Sequence, residues 1–218
     1  NVILANPPYS IKAWDQKGFA SDPYGRNLWG VPPQGCADYA FQQHIQKSLD
    51  AKNGRSISLW PHGILFRDAE ATMRRKMIEE DLVECVIGLG PNMFYNSPME
   101  ACLMITRNNK PTNKKGKILF INAVNEVKQE KTMGYLEDFH IEKIFNAYQK
   151  FESIKDFSAL VNAEDVLQNN ANMSISLYVR QNKLEDEVIL PFVEVYSNWS
   201  EESEKLKNSM NDLFQILN

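Results

Sequence analysis

The sequence is poor in the residues that most often bind metals or form disulfides. It contains three cysteines and three histidines, and the members of both sets stand far apart along the chain. An odd number of scattered cysteines is typical of buried thiols in a reducing compartment and argues against a disulfide framework. None of these residues is grouped in the spacing of a metal site. We therefore predict a cytoplasmic protein without a bound metal.

The sequence also lacks long apolar runs and an excess of positive charge. No segment is long and apolar enough to span a membrane, and no signal peptide is recognisable. The 218 residues carry a net charge of −4, with 43% hydrophobic and 24% charged residues. Such a composition is typical of one globular domain, or one and a part. Any DNA binding must then use a local patch or another subunit, because the chain has no global positive field.

One short segment, Asn6-Pro7-Pro8-Tyr9, combines a strand end, a rigid turn and an aromatic ring. It follows the apolar residues 2–5, which are of the kind that forms a fully buried parallel strand. Each proline fixes its own φ, and Pro7 favours an extended backbone at Asn6, so the strand should end here. Ligands of open α/β sheets bind outside the carboxyl ends of strands, which is where this turn would lie.

The residue types of this turn suit methyl transfer to a planar amine. The lone pair of an exocyclic amine on a base ring is delocalised, which makes the amine a poor nucleophile. The Asn6 side-chain oxygen and a proline carbonyl, for which we choose Pro7 over Pro8, would accept its hydrogens and stabilise the developing positive charge. Tyr9 offers a face on which a flipped-out base can stack. Taken alone, the tetrapeptide also fits a simple strand end whose tyrosine packs in the core.

Hydrophobic periodicity predicts the order of elements in the first part of the chain. Strands are predicted at 2–5, 55–60, 82–89, 101–106 and 118–122, and helices at 37–50 and 68–80. This order indicates an α/β fold, the second half of a doubly wound, Rossmann-like sheet with an antiparallel end. The basic loop 108–117 should close a hairpin. The long irregular segment 10–35 either contacts DNA or covers the sheet with its aromatic residues.

The composition becomes charged and helical from about residue 126. Helices are predicted at 138–150, 163–167 and 201–217, and a short strand at 175–179. Ser200 is the predicted N-cap of the last helix, whose apolar stripe fits either packing within its own domain or docking to a partner subunit. We therefore divide the chain into half of a catalytic domain at 1–125 and a mostly helical region at 126–218.

Several ordered motifs resemble the modification (M) subunit of type I restriction-modification systems, an adenine-specific DNA methyltransferase. The matching segments are 6–9, 24–26, 30–33, 37–41, 61–67, 84–89, 92–95, 119–122, 141–148 and 177–180. Many blocks in the right order are far more specific than the tetrapeptide. One departure is the segment 96–100, Asn-Ser-Pro-Met-Glu, where the family usually has a glycine-containing turn.

The resemblance implies S-adenosyl-L-methionine as the methyl donor and Asn6–Tyr9 as the catalytic motif. It implies that Phe41 lines the adenine pocket of the cofactor. It also implies that Phe94, or alternatively Tyr95, is the second aromatic wall for the flipped base. Core packing is the other interpretation of each of these aromatic residues.

The resemblance further implies three partners: DNA, a specificity (S) subunit that reads the bases, and a restriction (R) subunit. The family's glycine-rich cofactor loop precedes the Asn-Pro-Pro-Tyr strand, and only five residues precede Asn6 here. We therefore expect the main cofactor loop upstream of this chain, and this chain alone to be inactive. Two other functions stay open: methylation of protein glutamine or another amine, and a non-catalytic interaction fragment without its cofactor half.

Overall fold

The computed structural model describes residues 1–94, 99–130, 133–179 and 192–216. Contacts divide the chain into two compact units, Asn1–Gln181 and Asn182–Asn218. The first unit is a mixed α/β structure around a six-stranded sheet. Within the second unit, the described residues form one long helix.

The strands mostly follow the predicted segments. They are β1 (Val2–Ala5), β2 (Arg55–Pro61), β3 (Val83–Leu89), β4 (Ala101–Arg107), β5 (Lys117–Ala123), β6 (Lys128–Gln129), β7 (Gly134–Tyr135) and β8 (Ser158–Asn162). The large sheet has the order β1-β2-β4-β3-β5-β8, and β6 and β7 form a separate pair.

The sheet is mixed and has an antiparallel end, as predicted, but β8 forms that end and a second antiparallel strand, β4, lies inside the sheet. β1 pairs in parallel with β2, and β3 with β5. β4 runs antiparallel between β2 and β3, and β8 runs antiparallel along the outer side of β5. The predicted hairpin at 108–117 is therefore wrong. That loop instead carries the chain across β3, because β5 lies on the far side of that strand.

The helices are also close to the predicted ones. They are α1 (Gln16–Ala20), α2 (Asp38–Ser48), α3 (Ala71–Glu79), α4 (Asp138–Lys150), α5 (Ala163–Gln168), α6 (Ile175–Tyr178) and α7 (Phe192–Ile216), with short 3-10 helices at His62–Leu65, Asp68–Glu70 and Thr112–Lys114. No helix in the described ranges combines the length and the apolar character needed to cross a membrane.

Two predicted local features are wrong. The segment 175–179 is helix α6 rather than a strand, because Ile175 and Tyr178, three residues apart, face the core while Leu177 is exposed. The Tyr178 ring stacks on Phe120 with 4.4 Å between ring centroids. Ser200 is not an N-cap, since α7 begins at Phe192 and continues through it.

Side chains pack on both faces of the sheet. One face packs against α2, α3, α5 and α6, and Trp60, Met104 and Phe120 are fully buried there. The other face packs against α4 through Ile144 and Ala147. Since α4 and β8 belong to the first unit, its contacts continue well past residue 125. The division of function at that residue stays a prediction.

Strand β1 forms one edge of the sheet. The prediction that it is fully buried is wrong. Ile3 and Ala5 pack against the core, whereas Val2 and Leu4 on the opposite face are 52% and 75% exposed. The apolar run 2–5 is therefore covered on one face only, and as an edge strand it pairs with one neighbour.

A buried ion-pair cluster stabilises the amino-terminal end of β3. The fully buried carboxylate of Glu84 contacts Arg107 Nε at 2.5 Å and Lys114 Nζ at 3.0 Å, and the Tyr148 hydroxyl donates to it at 2.6 Å. Burial disfavours the charged carboxylate, but these partners outweigh it and lower the pKa of Glu84. The ionised form is therefore stabilised by folding.

Replacing Glu84 by Gln should lower the free energy of unfolding by about 3 kcal/mol at neutral pH, because two cations lose their buried counter-charge. A lowered folded-state pKa contributes stability above the unfolded pKa of about 4.3, and this stability is lost as the pH falls through the folded pKa. Urea denaturation of wild type and variant should therefore give curves that converge in acid. An equal gap at neutral and acid pH would contradict this account.

Candidate active site

The Asn-Pro-Pro-Tyr turn lies at the carboxyl edge of the parallel pair β1–β2. Ala5, the last residue of β1, pairs with Ser58 of β2, and Asn6 begins the turn directly afterwards. The Asn6 side chain is exposed and the Tyr9 ring is half-buried. This is the edge at which the sequence predicts a ligand-binding turn.

A cleft of about 450 Å³ joins this turn to a segment almost ninety residues further along the chain. It is lined by Asn6, Pro7, Pro8, Tyr9, Phe94 and Met99. Its size is typical of small-molecule sites, and its lining combines one amide with aromatic and apolar walls. The structure thus brings together the turn and Phe94. Tyr95, the alternative wall, lies outside the described residues, as do positions 96–98 of the unusual turn.

Close packing after β3 directs the chain towards this cleft. A Cβ added at Gly90 would lie 2.7 Å from Val127 Cγ1 and 2.8 Å from the Val124 carbonyl oxygen, so only glycine fits there. The Gly134 N–H donates to the Asn92 carbonyl at 2.7 Å and ties this segment to β7. Gly90 therefore serves the packing that brings Phe94 to the turn.

Phe41, the predicted cofactor contact, does not line the cleft. It lies on α2, where its half-buried ring packs against the core cluster that contains Trp60. Part of the ring surface remains exposed. Core packing and a contact with a ligand are thus compatible at this position.

Tyr9 contributes a ring rather than an acid or a base. Burial raises its pKa to about 12, with smaller contributions from Cys102 and Asp38. The phenol is therefore neutral over the whole physiological range. Its hydroxyl oxygen is buried and has no hydrogen-bond partner among the described residues.

A buried charged cluster lies directly behind the turn, and the sequence analysis did not identify it. Asp38 Oδ1 accepts a hydrogen bond from the Ser10 N–H at 2.6 Å, and its other oxygen pairs with Arg67. Arg67 Nε also contacts Glu70 Oε2 at 2.7 Å. Asp38 and Arg67 both fall within motifs that carry the family resemblance, at 37–41 and 61–67. Membership of these motifs was the only indication in the sequence that the two residues matter. Isolated charged residues form no periodic pattern from which their role could be predicted.

The same cluster has the residue types of a metal site but is arranged as an ion-pair network. Ligand atoms of Cys36, Asp38 and Glu70 all lie within 4.8 Å of one another. However, Arg67 already pairs with both carboxylates. Burial, together with a hydrogen bond to Asp38, raises the pKa of the Cys36 thiol to about 12, so the thiol is protonated at neutral pH.

The segment 10–35 partly covers the fold and partly faces solvent. Trp29 is buried, and its backbone N–H donates to Gln43 Oε1 at 2.6 Å. Tyr24 is 73% exposed, with the Arg26 guanidinium 5.2 Å from its ring centroid. The covering role is therefore observed for Trp29, and DNA contact stays a prediction for the exposed residues.

Comparison with known proteins identifies the family. The sequence matches the family model for N-6 DNA methylase over residues 1–205. It is 33% identical over 221 residues to the methylase subunit of the type I restriction enzyme MjaVIII of Methanocaldococcus jannaschii, covering 99% of this chain and 37% of that protein. It is 31% identical over 238 residues to the MjaIX methylase subunit of the same organism, covering 100% of this chain and 42% of that protein.

A solved structure agrees with these relatives. The type I restriction-modification methyltransferase subunit from Streptococcus thermophilus is 37% identical, with a TM-score of 0.76, and the match covers 83% of this chain and 38% of that one. The chain therefore belongs to the N-6 DNA methylase family, and its resemblance to type I modification subunits is confirmed. It spans about two fifths of the length of these relatives.

The buried Tyr9 hydroxyl leads to a stability prediction. Tyr9→Phe should leave the free energy of unfolding unchanged or raise it by about 1 kcal/mol, because the variant no longer buries an unpaired polar group. Tyr39→Phe is the matched control, since the hydroxyl of the fully buried Tyr39 donates to the Ile64 carbonyl at 3.3 Å. That variant should lose about 1 kcal/mol in urea denaturation. An equal loss in both variants would show that the Tyr9 hydroxyl is paired.

Proposed function

We propose that this chain carries the catalytic turn of a DNA adenine-N6 methyltransferase, the modification subunit of a type I restriction-modification system. The observation that supports this proposal most directly is the cleft at the carboxyl edge of β1, which is lined by both the Asn-Pro-Pro-Tyr turn and Phe94. The family membership supports the reaction class. The similarity of the fold to a type I methyltransferase subunit supports the proposal that the sheet is half of a Rossmann-like methyltransferase domain.

In the proposed reaction, a flipped-out adenine enters the cleft between the rings of Tyr9 and Phe94. The Asn6 side-chain oxygen and the Pro7 carbonyl accept the hydrogens of its exocyclic amine. These acceptors would stabilise the positive charge that develops on nitrogen as the methyl group is transferred from the sulfonium donor, which would leave as a thioether; the methylated amine would then lose one proton to solvent. Pro7 and Pro8 keep the backbone rigid. The Pro7 carbonyl is therefore already in position before the reaction, and no conformational entropy is lost in placing it.

S-adenosyl-L-methionine would supply the methyl group. Among the described residues, we assign Phe41 to the adenine ring of this cofactor, and the exposed part of its ring leaves room for such a contact. We assign the remaining cofactor contacts to other parts of the methylase subunit, because this chain spans only part of its relatives.

Recognition of the DNA target sequence and assembly of the complete enzyme require partner subunits. We propose that a specificity subunit reads the bases, which agrees with the net charge of −4 on this chain. A restriction subunit would complete the complex. A cytoplasmic location is supported by three cysteines that are buried and free.

Asn6→Ala should reduce methyl transfer by on the order of 10²-fold, as expected for the loss of one preorganised polar partner. Asn6→Asp keeps an acceptor oxygen and should retain more activity than Ala. The assay uses the complete gene product that contains this chain, with its specificity subunit, and follows radioactive methyl groups from the cofactor into DNA. Near-normal turnover of Asn6→Ala would exclude the proposed role. Methylation of protein but not DNA would favour the glutamine methyltransferase alternative.

Variants of Tyr9 should separate stacking from hydrogen bonding. Tyr9→Phe keeps the ring and should remain largely active, whereas Tyr9→Ala should lose about 1–3 kcal/mol of base stacking. A mismatch opposite the target adenine should partly rescue Ala, because a mismatched base costs less to flip. The measurement is methyl transfer to matched and mismatched duplexes. If Phe is as inactive as Ala, the hydroxyl matters and the stacking role is wrong.

A further inference from the structure

We propose that Asp38, Arg67 and Glu70 form an ion-paired clamp on Ser10 that positions the Asn-Pro-Pro-Tyr turn for methyl transfer. The clamp rests on the proposed function of that turn. None of its three residues lines the cleft, so each is a positioning residue rather than a catalytic one. The clamp is the set Asp38, Arg67 and Glu70 throughout.

The two prolines limit how the turn can be anchored. Pro7 and Pro8 have no N–H groups, so the middle of the turn cannot donate a backbone hydrogen bond. At the front end, Asn6 follows directly after the last paired residue of β1. At the far end, the Ser10 N–H donates to Asp38 Oδ1 at 2.6 Å. This N–H shares a peptide plane with the Tyr9 carbonyl, so the bond fixes the backbone on which the Tyr9 ring is mounted.

The backbone at Ser10 needs such a restraint. Its φ is +50°, in the left-handed region that non-glycine residues adopt only at a cost of about 1–3 kcal/mol. The Ser10 hydroxyl lies 3.4 Å from both Asp38 Oδ2 and Arg67 Nη1. Both the amide and the side chain of Ser10 therefore point at the clamp, which offsets the unfavourable conformation.

Arg67, which also pairs with Glu70, holds the Asp38 carboxylate in place. The Asp38 and Glu70 carboxylates are fully buried, and burial of an unpaired carboxylate is costly. Arg67 pairs with both of them, and Cys36 Sγ lies 3.1 Å from Asp38 Oδ2. Asp38 is also the first residue of α2, where the helix dipole favours negative charge.

The clamp joins three separate segments at the carboxyl edge of the sheet. Asp38 comes from the start of α2, and Arg67 and Glu70 come from the segment that follows β2. Ser10 follows the turn after β1. Because reacting groups must be held within about 0.5 Å of the productive geometry, a loose far end of the turn should lower turnover more than it lowers substrate binding.

The test compares Asp38→Asn with Glu84→Gln in the complete gene product, each at a matched fraction of folded protein. Both variants neutralise a fully buried carboxylate that pairs with cations, but Glu84 lies at the opposite, amino-terminal end of the sheet strands. Asp38→Asn should lower kcat at least 10-fold while the Kd for DNA changes less than threefold. Hydrogen exchange in the peptide that contains Ser10 should become at least 10-fold faster. Glu84→Gln should change neither quantity.

Arg67 provides a second pair of variants that does not depend on the folding of Asp38→Asn. Arg67→Met should reproduce the faster exchange at Ser10 and the loss of kcat, and Arg67→Lys should restore part of both because it keeps a positive charge near the carboxylates. Equal effects of Asp38→Asn and Glu84→Gln on kcat, or unchanged exchange at Ser10 in the Asp38 and Arg67 variants, would overturn the clamp. If the wild type methylates no DNA, the proposed function fails, and the exchange measurement still decides whether the clamp exists.

Discussion

The parallel pairing of β1 with β2 is the interaction on which the candidate site depends. It places the ends of both strands at one edge, so that whatever follows each strand must meet there. The turn follows β1, and Arg67 follows β2 by a few residues. The helix between the two strands, α2, begins with Asp38 beside Ser10. A turn in which two successive prolines lack backbone N–H groups is thereby held through Ser10 by its surroundings.

Two buried carboxylate clusters occupy opposite ends of this sheet, and their surroundings give them different consequences. Glu84 is surrounded by Arg107, Lys114 and the Tyr148 hydroxyl, which favour its charge and make it a contributor to stability. Asp38 shares a single guanidinium with Glu70 and uses its other oxygen for a backbone N–H in a strained conformation. Similar chemistry thus stabilises the fold at one end and restrains a loop at the other.

The sequence predicted features that depend on neighbouring residues, such as strands and helices, and missed features that depend on contacts between distant segments. The strands and most helices were found because their apolar periods lie within each segment, whereas the hairpin at 108–117 was wrong because strand neighbours are set by contacts far along the chain. The strand predicted at 175–179 failed because three residues that alternate in apolar character also fit one helical turn. At the site, the resemblance pointed to Asn6–Tyr9 and Phe94, which the cleft brings together. The clamp was missed because Asp38 and Arg67 are 29 residues apart and neither is part of a periodic pattern.

The central position of β4 has a consequence for how the protein folds. The pairs β1–β2 and β3–β5 are each parallel, and β4 is the strand that joins them. Without residues 101–107 between β2 and β3, the sheet would consist of two separate pairs with unpaired inner edges. Joining the two pairs requires β4 to pair with β2, from which it is separated by helix α3 and strand β3, and such non-local pairing is expected to slow folding. During synthesis, the ribosome must release β4 before the edge that carries the Asn-Pro-Pro-Tyr turn is connected to β3 through β2 and β4.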